Sequence, residues 1–226
     1  MFYKSYSIAL ILVMFSIMTF AQSENDFRFK SIGLDFGWYN PSLDYWKNDS
    51  EFKDADIIGA LQVRGLTEFS LKSNFTARLG LGFWQTTAEE DLQGYGLTTW
   101  SLTGYPVSLD LLYFPEPLKF SVVNPYIGVG GEFVFLQQKL RFDQKENPDP
   151  VTGTSALFSG IVGLEAKLSS QFAVDLAFIY KMGEYNQDFN VFINNPDDPE
   201  NPTLKVVTEE ISLTGPLLGL TFKYLF

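Results

Sequence analysis

The 226-residue sequence contains no cysteine and no histidine. The absence of cysteine excludes disulfides and thiolate metal sites. The absence of histidine removes the side chain that most often transfers protons near neutral pH, and this excludes histidine-dependent catalysis. Basic residues are also scarce, with 16 against 27 acidic ones, and the net charge of −11 argues against binding to nucleic acid.

Long apolar runs are absent except near the N-terminus, where Ile8 to Phe20 follow Lys4 and precede Ala21. This pattern is typical of a secretory signal peptide, which we expect over residues 1–21, followed by one domain over residues 22–226. The run is shorter than the roughly 20 apolar residues of a transmembrane helix. If the exported domain lies in a membrane, it must therefore cross as β-strands.

Eight segments alternate between apolar and polar or small residues, with the period of two that predicts β-strands. In the last segment, Leu218, Leu220 and Phe222 alternate with Gly219 and Thr221. An even number of strands allows an antiparallel barrel with both termini at one end. The predicted strands are Ser31 to Tyr39, Ile57 to Thr67, Phe75 to Phe83, Leu97 to Phe114, Tyr126 to Arg141, Phe158 to Leu168, Phe172 to Lys181 and Leu217 to Phe226.

The alternation changes phase at two places, Thr103 to Pro106 and Thr214 to Pro216. Trp100 has the opposite parity to Val107 in the same segment, and Ile211 likewise has the opposite parity to Leu218 and Leu220. One extra residue in a strand restores the original face, and proline tolerates such an irregularity because it has no N–H to donate. We therefore predict a β-bulge at each place.

Apart from Lys139 and Arg141 at the end of the fifth segment, the charged residues of the predicted strands lie on the face opposite the apolar one. An eight-stranded barrel has an interior just wide enough for side chains, and ions confined there must be paired. We therefore predict an interior ion-pair network and an apolar outer face in contact with lipid. The alternative is a soluble periplasmic barrel that binds lipid and keeps its aromatic side chains inside. The predicted network contains five acids and five bases: Asp35, Arg64, Arg78, Asp110, Glu132, Glu165, Lys167, Asp175, Lys181 and Lys223.

Two stretches resemble a known family: Asn124-Pro125-Tyr126-Ile127-Gly128-Val129-Gly130-Gly131 and the aromatic C-terminal strand. Both are similar to the small, porin-like outer membrane protein β-barrel domain family of Gram-negative bacteria. The resemblance implies an all-β fold, an eight-stranded antiparallel up-and-down transmembrane β-barrel in the outer membrane. It also implies that the terminal aromatic residues belong to a signal read by the barrel insertion machinery: Phe222, Tyr224 and Phe226.

The connections between the predicted strands alternate in length and charge. Three turns, Ser70 to Asn74, Pro115 to Pro125 and Ser169 to Gln171, are expected to face the periplasm. The other four are acidic and are expected outside the cell, where they would meet outer-membrane lipid and lipopolysaccharide through divalent cations. They are Asn40 to Asp56, Ala88 to Gly96, Phe142 to Ser155 and Gly183 to Glu210. Within the last, we expect Asn194 to Pro202 to be mobile because its prolines and acids bury little apolar surface.

Five aromatic residues lie near predicted strand ends. Amphipathic aromatic rings favour the boundary between lipid and water. We therefore expect a girdle on the outer surface made of Trp38, Trp84, Tyr113, Tyr180 and Tyr224.

The function favoured by the sequence is structural or surface-interacting, in a barrel with a filled interior. A narrow porin-like channel for small solutes or ions is the second reading, and the soluble lipid-binding barrel is the third. No catalytic residue, cofactor or metal site is predicted. Glu132 with Asp110 or Glu165 could form a carboxyl dyad, but interior ion pairing accounts for these residues better.

Overall fold

Ten β-strands make up most of the computed structural model, which describes residues 28–49, 57, 59–72, 74–92, 96–118, 122–143, 146–195 and 198–226. The predicted signal peptide lies outside these residues. Two short helical turns, Tyr45–Asp49 and Glu116–Leu118, lie in connections. Within the described ranges, no helix has the length and hydrophobicity needed to cross a membrane. The strands are β1 (Arg28–Tyr39), β2 (Ala60–Lys72), β3 (Phe75–Leu92), β4 (Gly96–Tyr113), β5 (Val123–Phe142), β6 (Val151–Lys167), β7 (Phe172–Met182), β8 (Glu184–Asn195), β9 (Asp198–Ser212) and β10 (Gly215–Leu225).

Eight of these strands close into an antiparallel barrel in the order β1-β10-β7-β6-β5-β4-β3-β2. The predicted eight-stranded, up-and-down barrel is confirmed. The C-terminal strand β10 completes the ring, because its residues 217–225 pair with β1 on one side and its other edge pairs with β7. At the chain end, the Phe226 N–H donates to the Lys30 carbonyl at 3.1 Å and the Leu225 N–H donates to the Gln171 carbonyl at 2.8 Å. Closure therefore satisfies backbone groups that an open sheet would leave unpaired.

The remaining two strands, β8 and β9, form a hairpin where the sequence predicted a loop from Gly183 to Glu210. That prediction is wrong, because β8 and β9 pair along the segment and a buried apolar pair at the base of the hairpin packs it against the barrel. Tyr185 lies opposite Ile211 in the hairpin register, and both side chains are buried against the barrel core. Pro196 and Asp197 lie outside the described residues, so the expected mobility around them stays a prediction.

The outer wall of the barrel is apolar. The side chains that decide between a membrane barrel and a soluble one are Phe36, Leu79, Phe133 and Phe222, and they are 43%, 39%, 39% and 52% exposed. The charged side chains Arg78, Glu132 and Lys223 are buried inside. The soluble, lipid-binding alternative is therefore wrong, since it requires the opposite arrangement.

The polarity of the barrel reverses along its axis. In the lower part of β4, Val107 faces outward and Asp110 faces inward, as the bilayer requires. In the upper part, Trp100 and Leu102 are fully buried inside, and the outward positions carry Thr99, Ser101 and Thr103. The upper part thus has the polarity of a water-soluble protein, with apolar residues in the core.

This reversal replaces the two predicted β-bulges. The register of β4 runs without a shift against both β3 and β5, and the inward parity is continuous from Thr98 to Leu112. Likewise Ile211, Leu213 and Leu217 share one inward parity across the β9–β10 junction. The change of phase at these two sites reflects the strand leaving the bilayer and entering water, so the bulge prediction is wrong.

The connection after β1 folds into the upper end of the barrel. Leu43 and Trp46 are buried there, although Asn40 to Asn48 belong to a segment predicted as an exposed loop. Three backbone N–H groups attach the segment to the start of β10 and the end of β9: those of Asn40, Ser42 and Leu43 donate to Pro216, Thr214 and Ser212 at 2.9, 2.8 and 3.0 Å. Leu43 has a left-handed backbone with φ of 50°, an unfavourable conformation that these contacts hold.

Candidate functional site: the barrel interior

The lowest layer of the interior is centred on Lys223. Its ammonium lies 2.8 Å from Glu68 Oε1, 2.9 Å from Glu165 Oε2 and 2.7 Å from Asp175 Oδ2, and all four side chains are buried. Lys30 approaches the same carboxylates from the barrel rim, at 3.0 Å from Glu165 and 3.4 Å from Glu68. One buried cation therefore compensates three carboxylates with help from a second, half-exposed one.

Arg78 links this layer to the next. Its Nε lies 3.1 Å from Asp110 Oδ2, and its Nη1 lies 3.6 Å from Asp175 Oδ2. The other oxygen of Asp175 accepts a hydrogen bond of 2.6 Å from the Tyr126 hydroxyl. The guanidinium also lies 5.9 Å from the centre of the Tyr126 ring, within the range of a cation–π contact.

The third layer contains two further ion pairs. Arg64 Nε lies 2.9 Å from Asp35 Oδ2, while the other Asp35 oxygen accepts from Thr221 at 2.9 Å. Lys181 donates to both oxygens of Glu132, at 2.8 and 2.9 Å, and to Gln62 Oε1 at 3.0 Å. A carboxyl dyad of Glu132 with Asp110 or Glu165 is not formed, because Glu132 is paired with Lys181, Asp110 with Arg78, and Glu165 with Lys223 and Lys30.

The structure places nine of the ten residues proposed for the network inside the barrel. Lys167 is the exception: it is exposed at the end of β6, because the interior parity of that strand ends at Glu165. Two members were missed. Glu68 lies one residue beyond the predicted second strand, on the same parity as Arg64, and Lys30 immediately precedes the predicted first strand.

These corrections change the predicted charge balance. The buried set contains six carboxylates and four cations, and Lys30 at the rim adds a fifth. The expected equality of acids and bases is therefore wrong. Neutral hydroxyl groups stabilise some of the carboxylates that exceed the cations in number. Ser31 donates to Glu68 at 2.9 Å, Tyr126 donates to Asp175, and Thr221 donates to Asp35.

Carboxylate oxygens of Glu68, Glu165 and Asp175 lie within 4.8 Å of one another, a spacing that could suit a metal ion. The Lys223 ammonium lies among them: it donates to Glu68 and Glu165 and forms an ion pair with Asp175 at 2.7 Å. The position that a metal ion would take is thus already taken by a side-chain cation.

Above the ionic layers, aromatic side chains fill the barrel. Tyr39 and Trp84 stack edge to face with ring centres 5.5 Å apart, and Trp46 and Trp100 lie 4.8 Å apart. The Tyr39 hydroxyl donates to the Leu213 carbonyl, which joins β1 to the β9–β10 junction across the lumen. These residues and the inserted segment around Leu43 belong to one buried apolar cluster.

Trp84 had been predicted to lie in the outer aromatic girdle and is instead fully buried. Successive side chains of a strand point to opposite faces, so Trp84, which follows the outward-facing Phe83, must point inward. Trp38 and Tyr180 are 50% and 44% exposed on the outer wall, and Tyr113 and Tyr224 are half-buried there.

Phe222, Tyr224 and Phe226 share the outer face of the C-terminal segment, and Tyr224 and Phe226 belong to a small aromatic cluster at the lower end of the barrel. Phe222 and Phe226 are exposed and Tyr224 is half-buried. Tyr224 contacts Phe226 with ring centres 5.0 Å apart and contacts Phe172 at 5.5 Å. Phe226 also contacts Phe29 at 4.7 Å, so the end of the chain is fixed to the first strand.

An apolar wall, paired ions in the lumen and a ring of antiparallel strands define an integral β-barrel of the outer membrane. The chain belongs to the outer membrane protein beta-barrel domain family, whose model matches residues 7–207. It is therefore an outer membrane protein, and it sits in the lipid of that membrane.

Solved structures of bacterial surface proteins are similar to this chain. OprG from Pseudomonas aeruginosa has 15% identity and a TM-score of 0.58, and the match covers 92% of this chain and 98% of OprG. Neisserial surface protein A has 11% identity and a TM-score of 0.47, with 88% and 97% covered. Ail, the attachment invasion locus protein of Yersinia pestis, has 13% identity and a TM-score of 0.46, with 89% and 99% covered. Comparison with curated protein sequences gives no match.

Proposed function

We propose that this outer membrane barrel is a non-conducting structural protein that presents its upper part at the cell surface. The observation that carries this proposal is the filled lumen. Trp84, Trp100 and Leu43 have no solvent exposure, and they lie above the layers of ion-paired side chains. A continuous path for water would have to displace both the apolar cluster and the buried ion pairs.

Single-channel recording in planar lipid bilayers tests this proposal. The refolded protein should insert without steady current, while a general porin inserted under the same conditions supplies the positive control. Discrete, reproducible conductance steps from the wild-type protein would instead support the narrow channel for small solutes or ions.

We further propose that the barrel is not an enzyme. The support is chemical: the chain has no histidine or cysteine, and the buried carboxylates are ion-paired. Because each of these carboxylates is already engaged with a cation, it is poorly placed to act as an acid or base on a substrate.

The acidic upper connections are proposed to contact lipopolysaccharide through divalent cations. Support comes from the end of β3, where Glu89 and Asp91 are exposed beside Glu90. Neutralising all three residues as amides should weaken Mg²⁺-dependent binding of the refolded protein to lipopolysaccharide vesicles. Glu116→Gln, at an exposed acid on the opposite rim, is the control. Equal binding by the triple variant and the control would contradict this contact.

We also propose that Phe222, Tyr224 and Phe226 form the insertion signal. Their support is their position at the end of the closing strand, where two of the three rings are exposed. Exposed aromatic groups at this edge are available to a machinery that recognises the strand before the barrel closes.

A further inference from the structure

The upper part of the barrel contains a cavity that the structural role does not use. It has a volume of about 380 Å³ and lies between the upper ends of β4, β5 and β6 and the β8–β9 hairpin. Leu102, Leu136 and Tyr185 provide apolar lining, and Gln138 and Gln187 provide amide groups. A volume of this size is at the small end of the range for ligand sites, about 300–1,000 Å³.

The cavity is lined on one side by exposed residues of β6 and β8. Pairing of β6 with β7 begins at Phe158, and in the described part of the chain the preceding residues 151–157 have no strand paired on that side. The β8 strand pairs with β9 on its other edge, and Ser155 Oγ donates to the Glu184 carbonyl at 2.6 Å where β6 and β8 approach. The two strands therefore approach without a shared ladder, and the exposed lining residues Thr152 and Asn186 give the cavity contact with solvent on this side.

One polar atom in the lining points to a ligand. Gln138 is 6% exposed, and its carbonyl oxygen Oε1 is shielded from solvent without a hydrogen-bond partner among the described residues. A buried acceptor without a partner is unfavourable by about 1–3 kcal/mol, and a ligand hydroxyl or N–H would remove that cost. Gln187, also buried, accepts from the Tyr185 hydroxyl at 3.3 Å. Burial raises the pKa of Tyr185, so this hydroxyl keeps its proton at neutral pH.

The charge of the lining restricts the class of ligand. Among the described lining residues, Asp188 is the only charged one, and no lysine or arginine is present to bind an anion. Asp188 is exposed and already accepts a hydrogen bond of 2.6 Å from Thr208. A buried ammonium group would lack a buried carboxylate partner, which is unfavourable. The lining therefore suits an uncharged molecule with both hydroxyl groups and an apolar face.

We propose that this cavity is a binding site for an uncharged polyhydroxylated ligand, the chemistry of a monosaccharide unit. The hydroxyl edge of the sugar would donate to Gln138 and Gln187, and its C–H face would lie against Leu102, Leu136 and the Tyr185 ring. This inference goes beyond the structural role, because a lumen closed to conduction can still contain a ligand-binding cavity at its upper end.

Saturation-transfer-difference NMR on the full barrel tests the proposal in a detergent that has no sugar headgroup. The probes are glucose, galactose and N-acetylglucosamine with their methyl glycosides, and glucuronate and glucosamine serve as charged comparators. At least one neutral sugar should bind saturably and better than both charged ones. Binding of free sugars alone assigns a soluble sugar, and binding of methyl glycosides as well assigns the terminal unit of a glycan; either result supports the site.

Two variants locate the binding. Gln138→Met should raise the Kd of the bound sugar about tenfold, which corresponds to loss of one buried hydrogen bond. Gln85→Met makes the same change at an exposed position on β3 and should leave Kd unchanged. If Gln138→Met fails to fold, as judged by heat-modifiable gel mobility, Gln187→Met takes its place with the same expectation. The absence of saturable binding by every neutral sugar, an unchanged Kd in the folded lining variant, or preferential binding of a charged comparator overturns the proposal.

Discussion

Replacing Lys223 with methionine is the sharpest test of how the interior is stabilised. The ammonium lies within 3 Å of three buried carboxylates, and methionine retains most of the side-chain volume while removing the charge. Removing one partner of a buried ion pair costs about 3–5 kcal/mol, because the other partner stays buried and uncompensated. Lys30 and Arg78 still contact this group of carboxylates, at 3.0 and 3.6 Å, and should offset part of the cost. We therefore expect a loss of about 3 kcal/mol.

Urea-induced unfolding from phospholipid vesicles measures this free energy, and an unchanged slope against urea would indicate that the same surface is exposed. Lys167→Met, at the exposed end of β6, is the matched control and should change stability by less than about 0.5 kcal/mol. Combining Lys223→Met with Glu68→Gln should recover about 0.5–3 kcal/mol, because one uncompensated charge is removed as well. A single Lys223→Met variant as stable as Lys167→Met would refute the view that this cation holds the interior together.

Two further changes test packing and protonation. A methyl group added at Gly163 would overlap the ring of Tyr126, whereas one added at Gly160 would meet no atom within 4 Å. Gly163→Ala should therefore lower the free energy of unfolding in urea by about 1–3 kcal/mol, whereas Gly160→Ala should leave it unchanged or raise it slightly. Equal effects of the two substitutions would contradict this packing. Burial raises the pKa of Tyr185 above its ordinary value of 10.0, so its contribution to stability is fully present below that pH and is lost as the pH rises above it. The unfolding free energy of the wild type should fall more between about pH 9 and pH 11 than that of Tyr185→Phe, and parallel curves would exclude this contribution.

The reversal of polarity along the strands shows where the barrel leaves the bilayer. Outward-facing Phe83, Tyr105 and Phe135 are exposed apolar residues at similar heights, and the next outward residues toward the upper end are Gln85, Thr103 and Gln137. The change to polar side chains on neighbouring strands marks the upper boundary of the apolar band. Above it, water surrounds the wall, so the hydrophobic effect gathers apolar side chains inside; below it, lipid accepts them outside.

The polarity reversal and the true strand lengths explain which interior residues alternation alone does not identify. The predicted bulge would place Trp100 and Leu102 in contact with lipid, whereas the strand has already left the bilayer at their height. Glu68 was missed because the predicted second strand ended at Thr67, whereas β2 continues to Lys72. Strand ends are poorly defined by alternation alone, since neighbouring strands extend each other through their hydrogen bonds.

The sequence by itself determined the membrane barrel, because a period of two with ions on one face permits few other stable arrangements in lipid. It also indicated nine interior ions, since parity within a strand fixes the side of the wall on which each residue lies. Only the tertiary structure decided which ions pair, because Lys223 and Glu68 are 155 residues apart and meet across the closed lumen. It likewise decided that Leu43 and Trp46 enter the upper end and that β8 and β9 form a hairpin there. Those contacts depend on the space left by the surrounding strands, which exists only once the barrel has closed.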